Sequence, residues 1–491
     1  MDLSTVAGLA IAGLAGWLTY RAATTGYRYY KATPQQRLRI RHAWWVRRRW
    51  NKLSANVGLV RIDENTKGRK GMNGKAVKPT TVRPRIKVIP EPYGLRVIVR
   101  TIAGVGQAEF ERAAQWLADA WICDSVEVHR VTPGTLELRC LVGNPLDERR
   151  EYDWPQAGDW RLPIGHNPWG RQISVPLRQL SGIKVAGLPG YGKTFLMLGW
   201  LASLAHAGGP LVQFALFDGK SSDPRYGDWG EVGQRALFLV GDNPETAHQR
   251  LTELVRLVKD RPGRLVAERG HPQFWKQGPT FENPLVLVLM DECHNYVDSS
   301  GLRGKEKELI ESNQRLMRVL AKEGRGLGVI PVLATQKQTG DAIPTAVRDN
   351  LEVGISFACF TLEGAEAALG SGIRKDEPNW PTALVDKDRN VGVCVVTGVP
   401  GLDGQYDRVR VGDIEEDLVL EVVGSSFGDR REIIPAEGPT LRKVTDEPSQ
   451  STTGSAAPAG ASDPQPKAPP KPRRASRKTA ADNDQDDRKA G

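Results

Sequence analysis

One stretch of this sequence is suited to holding phosphate. From Gly187 to Thr194 it reads Gly-Leu-Pro-Gly-Tyr-Gly-Lys-Thr, placing Gly187, Gly190 and Gly192 around Leu188, Pro189 and Tyr191. The spacing fits G-x-x-x-x-G-K-S/T, in which glycines let the backbone curl until successive N–H groups point inward at phosphate oxygens. Lys193 supplies a charge for the β- and γ-phosphates, and Thr194 a hydroxyl for Mg²⁺. An apolar strand, Ile183 to Ala186, leads in, and a helix-compatible run, Phe195 to Ala207, leads out. That strand–loop–helix setting is the one the pattern needs, so the expected ligands are ATP and Mg²⁺.

A second feature carries carboxylates. Leu285 to Met290 is wholly apolar and ends in Asp291-Glu292. Such a run reads as a strand buried on both faces of a parallel sheet. Two carboxylates at its tip are costly to bury unless a cation sits beside them. Asp291 is thus expected to hold the metal, directly or through water, and Glu292 to act as general base on the attacking water. A third strand, Val329 to Ala334, is followed by Thr335-Gln336, whose amide can contact the γ-phosphate or that water. Lys305 to Glu323 has leucines at helical spacing and reads as the crossover helix. Beyond it, Gly324-Arg325-Gly326 places an arginine in a glycine-flanked turn, either as an arginine finger for a neighbouring subunit or as a charge favourable to the helix dipole. His294 reads as a local polar contact. Arg348 reads as a structural charge or a contact to nucleotide or DNA.

The chain that must position these groups has 491 residues, too many for one ordinary domain. Hydrophobic residues make up 40% of it, enough for a core but too few for a polytopic membrane protein. Its five cysteines form no C-x-x-C pair, which argues against a disulfide scaffold or a zinc finger. The net charge of +10 is unevenly spread: residues 31–87 carry seventeen Lys or Arg against Asp63 and Glu64 alone. An anionic partner is expected there, either lipid head groups or nucleic acid.

Leu3 to Tyr20 is free of charge and lies within the range for a single membrane span. The arginines that follow predict that the rest of the chain stays in the cytoplasm. Gln36 to Asn51 interleaves six arginines with Trp44, Trp45 and Trp50 and reads as a juxtamembrane helix, with a DNA backbone as the other anionic surface it would suit. Residues 65–81 read as a flexible basic linker. Arg85 to Val142 shows a β-β-α-β-β pattern with nothing catalytic in it. Residues 444–491 are rich in Pro, Ser, Ala and charge and read as disordered.

Taken in order, PIGHNPWGRQISVPLRQLSGIKVAGLPGYGKT, LVQFALFDGK, LVLVLMDE, KEGRGLGVIPVLATQKQTGDAIPTAVRDN and EGAEAALGSG resemble the FtsK/SpoIIIE DNA translocases, and among them the actinobacterial plasmid-transfer members. The resemblance covers roughly residues 85–415. It implies an α/β fold with a RecA-like P-loop ATPase domain and a preceding small α+β domain, to which the residues themselves add an N-terminal membrane helix and a disordered C-terminal tail. The expected segments are 1–30 (membrane helix), 31–83 (basic juxtamembrane segment and linker), 84–150 (small domain), 151–425 (motor domain) and 426–491 (tail). It further implies a homo-oligomer, a hexameric ring around double-stranded DNA, with Gln336 sensing phosphate and Arg325 acting in trans.

The function expected is therefore a membrane-anchored, ATP-driven double-stranded DNA translocase in conjugal transfer. Two other functions fit the residues: a coupling-type ATPase delivering single-stranded DNA or protein to a secretion channel, and a DNA-tethering membrane protein whose nucleotide site controls assembly only.

Overall fold

The computed structural model describes residues 31–63 and 80–433, apart from 338, 340, 341 and 403, together with a few positions before residue 31. The apolar run Leu3 to Tyr20, expected as a membrane span, lies outside the described residues except for Gly16, and the tail beyond 433 lies wholly outside them. Among the described residues no helix is long and apolar enough to cross a membrane.

The first long helix, α1 (Pro34–Asn56), starts where Thr33 and Gln36 form a reciprocal capping box and Pro34 takes the first turn. A short ribbon follows, β1 (Arg61–Ile62) paired antiparallel with β2 (Thr81–Val82), so the stretch expected as a linker to residue 81 ends in a strand. Next come β3 (Arg85–Glu91), β4 (Gly94–Arg100), α2 (Gln107–Trp121), β5 (Ser125–Thr132) and β6 (Thr135–Leu141), an antiparallel sheet in the order β3-β4-β6-β5 with α2 packed against it.

Helix α1 packs into this unit, so the small domain starts before the expected boundary at residue 84. Ala43, Val46 and Trp50 recur on one face and enter the core beside Phe110 and Trp121. The Trp50 ring stacks on Phe110 at 6.3 Å, and its Nε1 donates to the Pro84 carbonyl at 2.8 Å. A helical period was present here but was masked by six arginines on the other faces.

Among the described residues the larger sheet has ten strands. After β7 (Arg161–His166) and β8 (Gln172–Pro176) come β9 (Ile183–Ala186), α3 (Lys193–Gly208), β10 (Val212–Asp218), β11 (Ala236–Val240), α4 (Pro244–Arg269), β12 (Leu285–Asp291), α5 (Gly304–Leu327), β13 (Val329–Thr335) and β14 (Val353–Ser356). The parallel part runs β11-β10-β12-β13-β9-β14. Antiparallel β15 (Val393–Thr397) and β16 (Tyr406–Val411) extend it to β7 and β8. Every residue of β12 is buried because the sheet is covered on both faces. Leu285, Leu287 and Leu289 meet the cluster that holds Trp200 and Leu201 of α3. Val286, Val288 and Met290 meet the one that holds Leu254 of α4 and Leu320 of α5. Each such leucine, fully buried, contributes roughly 1.5–3 kcal/mol.

Two other expectations are corrected. Gly324-Arg325-Gly326 is not a turn but the last turn of α5, which ends at Leu327 because Gly328, at φ +69°, supplies the left-handed cap. A Cβ at Gly324 would meet the Val329 carbonyl at 2.2 Å, so this glycine serves close packing of helix on strand. The packed chain also continues past residue 426. Gln213 accepts from the Arg431 N–H at 3.0 Å, and Ile433 is buried in the α4/α5 layer.

Candidate nucleotide site

The loop between β9 and α3 takes its shape from two constrained glycines. Gly187 has φ +145°, and a Cβ there would lie 2.6 Å from that of Phe357, while Gly192 has φ +107° at the start of α3. Both conformations are ones that side chains rarely adopt. The Leu188 N–H donates to the Ala358 carbonyl at 2.8 Å, and Tyr191 is buried with its hydroxyl on the Val385 carbonyl. Pro189 and Gly190 remain exposed at the tip. Lys193 is folded back on the loop, donating to the Gly187 carbonyl at 2.8 Å and to that of Leu188 at 3.3 Å. Burial brings its ammonium down to about 8. A phosphate would replace carbonyl dipoles with full negative charge, the partner this buried cation lacks.

β12 delivers the carboxylates to the same place. Thr194 Oγ1 lies 3.4 Å from Asp291 Oδ2, and Asp291 is fully buried. This pair of oxygens, with Thr194 lining the cavity, suits Mg²⁺, which takes one or two protein ligands and fills its shell with phosphate oxygens and water. Among the described residues no group of three or more His, Cys, Asp or Glu could hold a metal by itself.

Glu292 has φ +47°, uncommon for a residue with a Cβ and most often found at functional sites. Its Oε2 accepts from the Gln336 N–H at 3.0 Å and contacts His294 Nδ1 at 3.3 Å. Its Oε1 is buried with no hydrogen-bond partner among the described residues. Burial alone would raise this carboxyl, but His294, the Gln336 N–H and Lys193 outweigh it and hold the group below the usual glutamate range. It is therefore ionised and able to take a proton at neutral pH.

Because β13 lies between β9 and β12, Gln336 emerges between the phosphate loop and the acidic tip. It lines a cavity of about 670 Å³ with Gly190, Gly192, Lys193 and Thr194. Arg325 does not: it is exposed and lines a separate cavity with Arg178, Gln179 and Glu352. Arg348 lies outside the nucleotide cavity too, its carbonyl 3.5 Å from Lys184 Nζ. Of the residues expected to act together, Lys193, Thr194, Asp291, Glu292 and Gln336 converge and Arg325 stands apart.

The sequence reading missed the other wall. Val391, Gly392, Arg410 and Asp413 close the cavity, joined by Arg149 from the connection to the small domain. Arg410 bonds the Val391 carbonyl at 2.9 Å, that of Arg389 at 2.7 Å and that of Leu146, so one guanidinium ties this wall to the inter-domain chain. Lys220 and Asp228 were missed as well. The available signal was Asp218-Gly219-Lys220 at the end of an apolar strand, the same placement that exposed Asp291.

Comparison with known proteins gives this site its relatives. Residues 47–142 match the actinomycete conjugal transfer protein N-terminal domain. That match begins inside α1, in agreement with the packing of Trp50. The DNA translocase FtsK of Vibrio vulnificus strain CMCP6 is 23% identical over 330 residues, covering 58% of this chain and 33% of the relative. The Staphylococcus aureus Mu50 FtsK is 23% identical over 330 residues, covering 63% and 39%. This chain carries a P-loop ATPase domain and is similar over it to the FtsK DNA translocases. The chain spans about a third of the length of the curated relatives it matches. Among solved structures, the monomer of the pCW3 conjugation coupling protein TcpA with ATPγS is similar with a TM-score of 0.47 and 14% identity, covering 72% of this chain and 95% of that one. The cytoplasmic domain of the Thermomonospora curvata type VII secretion ATPase EccC gives 0.42 and 18%, covering 61% and 35%.

Proposed function

We propose that this chain hydrolyses ATP to move double-stranded DNA during conjugal transfer, working as a homo-oligomeric, hexameric ring held at the cell membrane by the apolar run Leu3 to Tyr20. The observation that carries the proposal is convergence: the phosphate loop and Gln336 line one cavity, and the acidic tip of β12 joins them from behind, with Asp291 beside Thr194 and Glu292 on the Gln336 N–H. The resemblance to DNA translocases supplies the cargo, and the basic N-terminal arm supports an anionic surface nearby.

In the proposed reaction Glu292 Oε1 orients a water and takes its proton as the water oxygen bonds to the γ-phosphorus. The bond from that phosphorus to the bridging oxygen of ADP breaks, leaving ADP and inorganic phosphate. Lys193 and the loop N–H groups stabilise the charge that develops on the phosphates. Thr194 and Asp291 would hold Mg²⁺, which when bound neutralises charge on the β- and γ-oxygens. Gln336 shares Oε2 of Glu292 through its backbone, so departure of the γ-phosphate is reported to β13. Arg325 is remote from its own nucleotide cavity and would serve the site of a neighbouring copy.

Steady-state ATPase assays with linear duplex, with single-stranded DNA and without DNA test the proposal. Stimulation by duplex is expected. Preference for single strands would favour a coupling-type ATPase, and nucleotide binding without turnover would favour a DNA tether.

A further inference from the structure

The turn after β10 brings an ammonium onto the two oxygens that would ligate the metal. Gly219 passes so close to β12 that a Cβ would sit 2.8 Å from the Glu292 carbonyl, and its N–H donates to the Asp291 carbonyl at 3.1 Å. Asn295 Nδ2 holds the Gly219 carbonyl at 2.6 Å, and the Lys220 N–H donates to Asp218 Oδ1 at 3.2 Å. Thus fixed, Lys220 Nζ lies 3.0 Å from Asp291 Oδ2 and 3.3 Å from Thr194 Oγ1, with Asp228 Oδ2 at 3.1 Å on its outer side. Asp291 is wholly buried, whereas Asp228 is about half exposed.

A buried carboxylate with no counter-charge is strongly destabilising, so a nucleotide-free site needs a cation at Asp291. An ammonium in contact with both oxygens and a divalent ion bound to them cannot occupy the same space. We propose that Lys220 is a built-in placeholder for the divalent cation: it holds Thr194 and Asp291 together in the empty site and yields to Mg²⁺ as nucleotide enters, giving up those two oxygens while keeping Asp228. The inference rests on the P-loop ATPase assignment and deepens it, since it makes loading of the metal a displacement. It also explains the position of Asp228, which lines the cavity beside Lys220 and gives the displaced ammonium a partner.

The test uses the full-length protein, fluorescent mant-ATP and a Mg²⁺ titration, with Mn²⁺ binding read by electron paramagnetic resonance without nucleotide. Removing the competing ammonium in Lys220→Met should lower the half-saturating Mg²⁺ about tenfold or more and tighten Mn²⁺ binding, since a charge-assisted hydrogen bond no longer has to be broken. Asp228→Asn removes the outward partner and should raise the half-saturating Mg²⁺ while leaving the fold intact. An unchanged or higher Mg²⁺ requirement in folded Lys220→Met overturns the proposal. If that variant does not fold, Asp228→Asn decides, and no increase there overturns it. Failure of the unaltered protein to bind mant-ATP at saturating Mg²⁺ would instead remove the nucleotide-site assignment itself, and the placeholder with it.

Discussion

The Glu292 carboxylate and the Gln336 backbone are joined by a 3.0 Å hydrogen bond across two adjacent strand ends, β12 and β13. One oxygen of the carboxylate is thereby spent on positioning, while the other is left buried and unpartnered. The first prediction follows: Glu292→Gln keeps the side chain's shape and still binds nucleotide but cannot accept the proton. Its kcat should fall about 10²- to 10⁴-fold with nucleotide affinity little changed. Rapid-quench and mant-ATP binding measurements on the same preparation check this, and turnover near that of the unaltered protein would remove Glu292 from its assigned part.

Arg325 gives the second prediction. It is exposed on the last turn of α5, outside the nucleotide cavity. If it reaches the site of a neighbouring copy, Arg325→Ala should bind ATP normally and lose about 10³- to 10⁵-fold in kcat. Mixing it with Glu292→Gln should restore part of the activity, because some interfaces then pair an intact arginine with an intact glutamate. A monomer that turns over ATP at the full rate despite Arg325→Ala would exclude the role.

How far the site was legible depends on where each group sits. Lys193, Thr194, Asp291 and Gln336 follow the ends of apolar strands, and a strand end in a parallel sheet is where side chains leave the core. Linear order identifies such ends without knowledge of neighbours. It does not show that β13 inserts between β9 and β12, and that insertion alone puts Gln336 beside Glu292. Lys220 acts across a turn set by Gly219, so its partner could not be read from its own segment. Arg410 lies on an antiparallel strand and Gly392 in the turn just before another, and the place of both depends on the closing of the whole sheet. Trp50 was misread for a different reason: the charge density of α1 outweighed a three-residue apolar period.

That correction yields the third prediction. Trp50 is buried between Phe110 and Trp121 with its indole N–H satisfied, whereas Trp44 on the same helix is 56% exposed under the Arg48 guanidinium at 3.3 Å. Trp50→Ala should destabilise the small domain by about 3–5 kcal/mol through the cavity left behind. Trp44→Ala should change stability by less than about 0.5 kcal/mol, as exposed substitutions usually do. Chemical denaturation followed by tryptophan fluorescence distinguishes the two, and equal effects would return α1 to the surface.

The last prediction concerns a lysine inside the sheet. Lys184 is 9% exposed in the middle of β9, and its only described hydrogen bond is a long one to the Arg348 carbonyl. Burial, aided by repulsion from Arg348, brings it down to about 8 from an ordinary 10.5. Below pH 8 it is charged in both the folded and unfolded chain, so its burial is a constant cost. Between pH 8 and 10.5 the folded chain has released a proton that the unfolded chain keeps, and stability therefore rises with pH across that window. Lys184→Met should be more stable than the unaltered protein at pH 7 by about 1–3 kcal/mol. The advantage should shrink steadily as the pH is taken from 8 toward 10.5. Thermal melts of both proteins at pH 7 and pH 9.5 test it: an equal difference in melting temperature at the two values would mean that Lys184 does not titrate in this range.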